Sequence, residues 1–169
     1  MHEDHKNTAP ERVKCAVITV SDTRNKTNDK SGHWIVEQLT EAGHEVTCYE
    51  IVPDEVEIIR ATVKQLAKNK DVDAMILNGG TGIATRDVTI EAVQPLFVKE
   101  IPGFGELFRM ISYQEDIGSA SMLSRATCGT VNHRLVFILP GSTGAVKLGM
   151  KKLIRPEIAH GVGELKKDL

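Results

Sequence analysis

Several kinds of residue and pattern are scarce or missing in this chain of 169 residues. Aromatic residues make up only 4% of it. No apolar run approaches the roughly 20 residues of a membrane-spanning helix, so we expect no contact with a membrane. The formal net charge of -2 argues against nucleic acid as a partner, because proteins that bind nucleic acid usually carry a basic face. The first residues are polar, which predicts that no secretion signal is present.

The cysteines lack the spacing that zinc or redox sites use. Cys15, Cys48 and Cys128 are far apart, they form no CxxC pair, and each lies in a strand-like run. We therefore predict buried, reduced thiols in a cytoplasmic protein. The sequence also offers no Ser-His-Asp or Cys-His arrangement on which nucleophilic catalysis can be argued.

What the sequence does contain is a regular alternation of strand-like and helix-like segments. Apolar, β-branched runs predict strands at 15–20, 46–52, 74–77, 126–131 and 135–139, the last two forming a hairpin. Helical patterns begin at Ser31, at Pro53, at Ala145 and at Pro156. Helices in these places act as crossovers between parallel strands. We predict one three-layer α/β/α domain over residues 13–169, with a mostly parallel sheet and one antiparallel strand, after a disordered tail at residues 1–12.

Three polar or glycine-rich loops follow predicted strands, at residues 21–24, 79–82 and 140–143. Ligands of open α/β sheets bind beyond the carboxyl ends of the strands. In the second and third loops, glycines and hydroxyls lead into a helix, where converging backbone N–H groups favour an anion such as phosphate. Such a loop can also be a tight turn with Asp87 or Thr89 as a helix cap. Two loops of the same design favour binding, although neither matches a dinucleotide or Walker motif.

Asp87 stands close behind the second loop, where a lone carboxylate would repel a phosphate. A cation between the two groups removes this conflict, and Mg²⁺ typically takes one or two carboxylates together with substrate phosphates. Asp22, Asp54 and Asp87 all fall at predicted strand ends or helix starts. They could therefore face one cleft.

A further apolar stripe consists of Phe104, Leu107, Phe108 and Ile111, which share one face of a predicted helix. This stripe is either part of the core or a contact between subunits.

The order and spacing of several short motifs carry a family resemblance. The motifs are Val20-Ser21-Asp22, Asp29-Lys30-Ser31-Gly32, Val52-Pro53-Asp54, Gly79-Gly80-Thr81-Gly82, Arg86-Asp87-Val88-Thr89, Glu91-Ala92, Gly103-Phe104-Gly105-Glu106, Ser124-Arg125-Ala126 and Leu139-Pro140-Gly141-Ser142. Together they resemble the MoaB/MogA family of molybdenum cofactor biosynthesis proteins over nearly the whole chain after the tail.

The resemblance implies a MogA-like, molybdopterin-binding domain that transfers an adenylyl group. Mg²⁺-ATP would activate the terminal phosphate of molybdopterin, giving adenylated molybdopterin and pyrophosphate. It implies catalytic roles for Asp87 and Asp54, with Asp87 also binding the metal. The substrate-binding residues that it implies are Ser21, Asp22, Gly79, Gly80, Thr81, Gly82, Arg86, Ser124, Arg125, Pro140, Gly141 and Ser142. It also implies a homo-oligomer, a trimer or a hexamer, and a molybdate-inserting enzyme as a possible partner.

The sequence departs from the family pattern at two positions, and the second departure favours the MoaB branch. Ile90 stands where many relatives have proline, and Thr143 replaces a proline that is frequent in the MogA branch. Because the MoaB branch includes members whose activity is doubtful, a second function stays open. The chain would then bind or carry molybdopterin without catalysis.

Overall fold

The computed structural model describes residues 9–169, and six strands and six α-helices lie in this part of the chain. The strands are β1 (Lys14–Val20), β2 (Glu45–Val52), β3 (Ala74–Asn78), β4 (Lys99–Glu100), β5 (Thr127–Val131) and β6 (Arg134–Leu139). The helices are α1 (Lys30–Glu41), α2 (Val56–Leu66), α3 (Thr89–Val93), α4 (Pro102–Glu115), α5 (Thr143–Gly149) and α6 (Arg155–Lys166). Short 3-10 helices span Gln94–Leu96 and Gly118–Leu123, and a π-helical segment, Met150–Ile154, joins α5 to α6. Most of the predicted tail lies outside the described residues, and residues 9–12 form no helix or strand.

The strands form a single sheet in the order β2-β1-β3-β6-β5-β4. Neighbouring strands are parallel from β2 to β6, whereas β5 is antiparallel to both β6 and β4. One strand thus runs against the other five, which confirms the prediction of a mostly parallel sheet with one antiparallel strand. β5 reverses direction because a two-residue turn, Asn132 and His133 with φ of 45° and 61°, joins it directly to β6.

Helices cover both faces of the sheet, as the three-layer prediction requires. Alternate residues of β1 enter different cores, with Cys15 and Val17 on one face and Ala16 and Ile18 on the other. Apolar side chains of α1, α4, α5 and α6 pack on the first face, and those of α2 and α3 pack on the second. Burial on both faces explains why the central strands are almost continuously apolar.

Three details differ from the sequence prediction. The helix expected from Pro53 begins at Val56, with Glu55 as its N-cap residue, so Asp54 caps no helix. Strand β4, of two residues, is too short for a periodic pattern to reveal it. Cys48 is only half-buried, whereas Cys15 and Cys128 are buried as expected.

The apolar stripe of α4 is divided between the core and the surface. Phe104 and Phe108 are buried, with ring centroids 6.4 Å apart, whereas Leu107 is 46% exposed and Ile111 is half-buried. Burial in the chain therefore accounts for only part of the stripe. None of the helices in the described part of the chain is both long and apolar enough to cross a membrane.

Candidate functional site

A cleft of about 480 Å³ lies where the parallel strands end. In the sheet register Thr19 pairs with Asn78, and Asn78 pairs with Leu139, so the loops after β1, β3 and β6 leave the same edge. The predicted site residues that line the cleft are Ser21, Asp54, Gly79, Gly80, Thr81, Gly82, Asp87, Ser124, Arg125, Pro140, Gly141 and Ser142. Asp22 and Arg86 do not line it. The sheet topology thus brings twelve of the fourteen predicted residues to one place.

The loop at residues 79–82 has all of its main-chain carbonyls bound. The Thr89 hydroxyl donates to the carbonyl of Gly79 at 2.8 Å, and the Thr89 N–H donates to that of Gly80 at 3.0 Å. The carbonyls of Thr81 and Gly82 accept from the guanidinium of Arg125 at 2.8 and 2.9 Å. Two residues therefore fix four consecutive peptide groups.

The amide of Gly79 donates to the carbonyl of Leu139 at 3.0 Å, whereas the amides that follow it are free. In the part of the chain that the structure describes, the N–H groups of residues 80–83 have no hydrogen-bond partner. Gly79 and Gly80 take φ values of 96° and 65°, a conformation that side chains rarely allow. Because the C=O and N–H of a trans peptide point in opposite directions, each bound carbonyl turns the next amide away from its anchor. Successive free amides of this kind form a site for an anion.

Asp54 and Asp87 flank this loop. A Cβ atom added at Gly80 would lie 2.7 Å from Oδ1 of Asp54, and one added at Gly82 would lie 2.5 Å from Oδ2 of Asp87. Within the described residues neither carboxylate forms an ion pair: Asp54 accepts from the amide of Asp22 at 3.0 Å, and Asp87 from that of Ala84 at 3.0 Å. Burial is the main cause of a raised pKa of Asp54, and the negative charges of Asp22 and Asp87 raise it further. The glycine loop is therefore bordered by two carboxylates that lack an ion-pair partner within the described residues.

The two predicted residues outside the cleft bind each other. Arg86 donates to Oδ2 of Asp22 from Nε at 3.0 Å and from Nη2 at 2.7 Å. This hydrogen bonding lowers the pKa of Asp22. Oδ1 of Asp22 also accepts from the amide of Asp54 at 3.1 Å. Asp22 thus joins the β1 and β2 loops and holds Asp54 in place.

The loop at residues 140–142 combines a helix cap with a contact to α1. The Ser142 side chain is the N-cap of α5, accepting from the amide of Ala145 at 3.3 Å. The Gly141 carbonyl accepts from the Ser31 hydroxyl at 2.9 Å, and a Cβ atom at Gly141 would lie 3.0 Å from Cα of Gly79. Glycine at this position lets the third predicted loop approach the second.

The floor of the cleft contains a polar network that the sequence analysis did not assign. Asp29 is 1% exposed and accepts hydrogen bonds from the hydroxyls of Thr19 and Tyr49 and from the amide of Gly32. Burial, together with Asp29, raises the pKa of Tyr49. An aspartate three residues before an amide at a helix start is an N-cap pattern, and this was the available signal. Thr23 and Arg24 also line the cleft; they lie in the first of the three predicted loops but were not named among the site residues.

A resident metal would depend on few protein ligands here. Among residues 9–169, no three His, Cys, Asp or Glu side chains converge as a metal cage. The two unpaired carboxylates beside free amides still fit Mg²⁺, which uses one or two carboxylates plus phosphate oxygens. The thiols are unsuited to nucleophilic chemistry, since burial raises the pKa of Cys15 and Cys128 to about 12 and that of Cys48 to about 11.

Fold and cleft together define an α/β protein whose strand-end loops expose free main-chain amides in a polar cleft. A family described as "Probable molybdopterin binding domain" matches residues 16–160. Molybdenum cofactor biosynthesis protein B of Bacillus subtilis is 58% identical over 166 residues, covering 98% of both chains. A crystal structure of a protein of that name has a TM-score of 0.90 and 58% identity, covering 93% of this chain and 98% of its own. The tungsten cofactor synthesizing protein MoaB of Pyrococcus furiosus has a TM-score of 0.84 and 40% identity, covering 94% of this chain and 100% of its own.

The chain belongs to this family of molybdenum cofactor biosynthesis proteins. The resemblance stated from the sequence is thereby confirmed, including the MoaB branch, since the names of these relatives fall within it.

Proposed function

We propose that this protein binds molybdopterin and adenylylates its terminal phosphate with Mg²⁺-ATP. An oxygen of that phosphate would attack the α-phosphorus of ATP, and the bond from this phosphorus to the departing pyrophosphate would break. The products are adenylated molybdopterin and pyrophosphate.

One observation carries the proposal: the row of free amides at residues 80–83 beside Asp54 and Asp87. Amide donors held in place before the reaction can stabilise charge that develops on phosphoryl oxygens. The loop at residues 140–142 approaches from the other side, so two phosphate-bearing substrates can be held together in one cleft. Proximity of this kind contributes a large part of catalysis in group transfer.

Asp54 and Asp87 are the residues that would hold Mg²⁺, and both remain without a cationic partner in the described structure. The ion, when bound, supplies positive charge to the phosphate oxygens. Asp22 serves this arrangement indirectly, because it keeps Asp54 in position through the Asp54 amide. Arg86 in turn holds Asp22.

An assay with purified components tests this function. The protein is mixed with molybdopterin and Mg²⁺-ATP, and adenylated pterin and pyrophosphate are quantified over time. Formation of both products supports the adenylyltransferase. Binding of molybdopterin without either product supports the carrier function and rejects catalysis.

We also propose that the chain assembles with copies of itself. Seven of the eleven large apolar side chains exposed in the described part of the chain lie between residues 101 and 123, a segment that contains α4, the 3-10 helix after it and the residue preceding each helix. Leu107, Met110 and Tyr113 are 46%, 48% and 60% exposed on α4. A concentration of exposed apolar side chains marks a surface for protein contact.

A further inference from the structure

Arg125 directs its guanidinium at the protein's own main chain. Nε donates to the carbonyl of Thr81 and Nη2 to that of Gly82, at 2.8 and 2.9 Å. The remaining contacts go to Glu91, with Nη1 at 2.5 Å from Oε1 and Nη2 at 3.3 Å from Oε2. All three nitrogens are therefore bound within the protein. This arrangement differs from the direct substrate contact that the family resemblance implied.

The segment that carries Arg125 is itself anchored. Nη1 of Arg109, on α4, donates to the carbonyls of Ser124 and Ala126 at 3.4 and 3.2 Å. The residues on either side of Arg125 are thus held by α4. Glu91, on α3, fixes the far end of the guanidinium and does not line the cleft.

We propose that Arg125 is a positioning residue, an inference that rests on the proposed function. Held by Glu91, the guanidinium of Arg125 orients two peptide groups so that the amides of Gly82 and Ile83 face a phosphate. Arg125 sets half of the amide row, and Thr89 sets the other half through the carbonyls of Gly79 and Gly80. Without Arg125 those two peptide groups are free to rotate, and the N–H groups of Gly82 and Ile83 are no longer held toward the phosphate.

The substitution Arg125→Lys distinguishes a positioning role from a direct charge contact with the phosphate. A planar guanidinium binds two carbonyls and a carboxylate at once, whereas an ammonium group is a point charge on a flexible stem. For a positioning residue, Arg125→Lys should lower the affinity for Mg²⁺-ATP as much as Arg125→Gln, by about tenfold or more, since charged hydrogen bonds are lost. For a direct contact, the lysine variant would keep most of the affinity.

The substitution Glu91→Gln should change the affinity for Mg²⁺-ATP in opposite directions for a positioning role and for a direct contact. If Glu91 braces Arg125, its loss weakens Mg²⁺-ATP binding, in the same direction as the Arg125 variants. If Arg125 contacts the phosphate directly, removing a competing carboxylate frees the guanidinium, and binding is unchanged or stronger. The second result overturns the proposal.

A ligand-free measurement makes the test independent of the proposed function. The amide resonances of residues 80–83 are recorded by two-dimensional NMR in the wild type and in Arg125→Lys. We expect those of Gly82 and Ile83 to shift or broaden. Arg134→Lys is the matched control, because Arg134 also donates to main-chain carbonyls, those of Asn69, Val72 and Asn132, but beyond the cleft.

The outcomes are distinct. If the lysine variant leaves the loop amides unmoved, Arg125 does not position them and the proposal is wrong, whatever the protein's activity. If those amides move but the wild type forms no adenylated pterin, the proposed function fails and the positioning role stands.

Discussion

Replacing Asp87 by asparagine should nearly abolish turnover while the fold survives. Asp87 lies in a local turn, where its Oδ2 accepts from the Ala84 amide at 3.0 Å and its own amide donates to the Ala84 carbonyl at 3.0 Å. The oxygen of an asparagine side chain can still accept from Ala84. The substitution therefore removes a charge that borders the glycine loop and keeps the local hydrogen bonds.

For Asp87→Asn, the expected loss of stability is much smaller than the expected loss of kcat. A charged acceptor contributes about 1.5–3 kcal/mol per hydrogen bond and a neutral one about 1 kcal/mol, and exposure of this bond reduces the difference to about 1 kcal/mol. In a chain of this size that lowers Tm by about 2–4 °C. Loss of a preorganised electrostatic group in an active site typically lowers kcat by about 10²–10³-fold, or about 2.7–4 kcal/mol.

The assay measures pyrophosphate release and adenylated pterin, together with Tm and molybdopterin affinity. Asp71→Asn is the control, since Asp71 pairs with Lys14 away from the cleft and its substitution should leave turnover unchanged. If Asp87→Asn retains turnover within about threefold of the wild type, Asp87 takes no part in the transition state and the reasoning is refuted.

Two further predictions concern the stability of the fold and the assembly of the chain. Burial raises the folded-state pKa of Asp54 above the ordinary aspartate value of 3.8, so the stabilising contribution of this group is full below pH 3.8 and is lost as the pH rises through the folded pKa. Asp54→Asn should therefore raise Tm at pH 7 and leave it unchanged in acid, in thermal melts across pH; equal Tm values at pH 7 would contradict this. Leu107→Glu should lower the mass found by light scattering, because it puts a charge on the exposed apolar part of α4; a wild-type chain that is already monomeric would reject the oligomer.

Much of the fold follows from the sequence because two physical signals are strong. One is the apolar run that marks a buried strand, and the other is the parallel topology that places the loops. Residues 74–78 are apolar apart from the last, and they form a central strand that is buried on both faces. Positions of the loops then follow from topology, since parallel strands deliver their carboxyl ends to one edge. This explains how residues as distant as Ser21, Gly80 and Gly141 were predicted together.

The roles of the arginines could not be predicted in the same way. Nothing in the residue type shows whether a guanidinium near a glycine loop contacts the ligand, a carboxylate or the main chain. Arg86 binds Asp22, and Arg125 binds two carbonyls and Glu91. Each partner is more than thirty residues away in sequence, so only the fold brings them together.

The charges around the cleft predict that a phosphate needs a cation in order to bind there. The lining contains three aspartates, Asp29, Asp54 and Asp87, against two arginines, Arg24 and Arg125, and the latter is already paired with Glu91. Free amides add no net charge, so an approaching phosphate meets a negative field unless a cation accompanies it.

Removing the metal should therefore reverse the order of the ATP affinities of the wild type and Asp54→Asn. In Mg²⁺, the wild type should bind ATP more tightly than Asp54→Asn, because Asp54 holds the ion. In EDTA the order should invert, because the variant has lost one repelling charge, worth about 1 kcal/mol at roughly 4 Å in water and less at high salt. Isothermal titration of both proteins with ATP, with and without Mg²⁺, measures all four affinities. A wild type that also binds more tightly in EDTA would mean that Asp54 does not repel the phosphate, and a variant that binds as tightly as the wild type in Mg²⁺ would mean that Asp54 does not hold the ion.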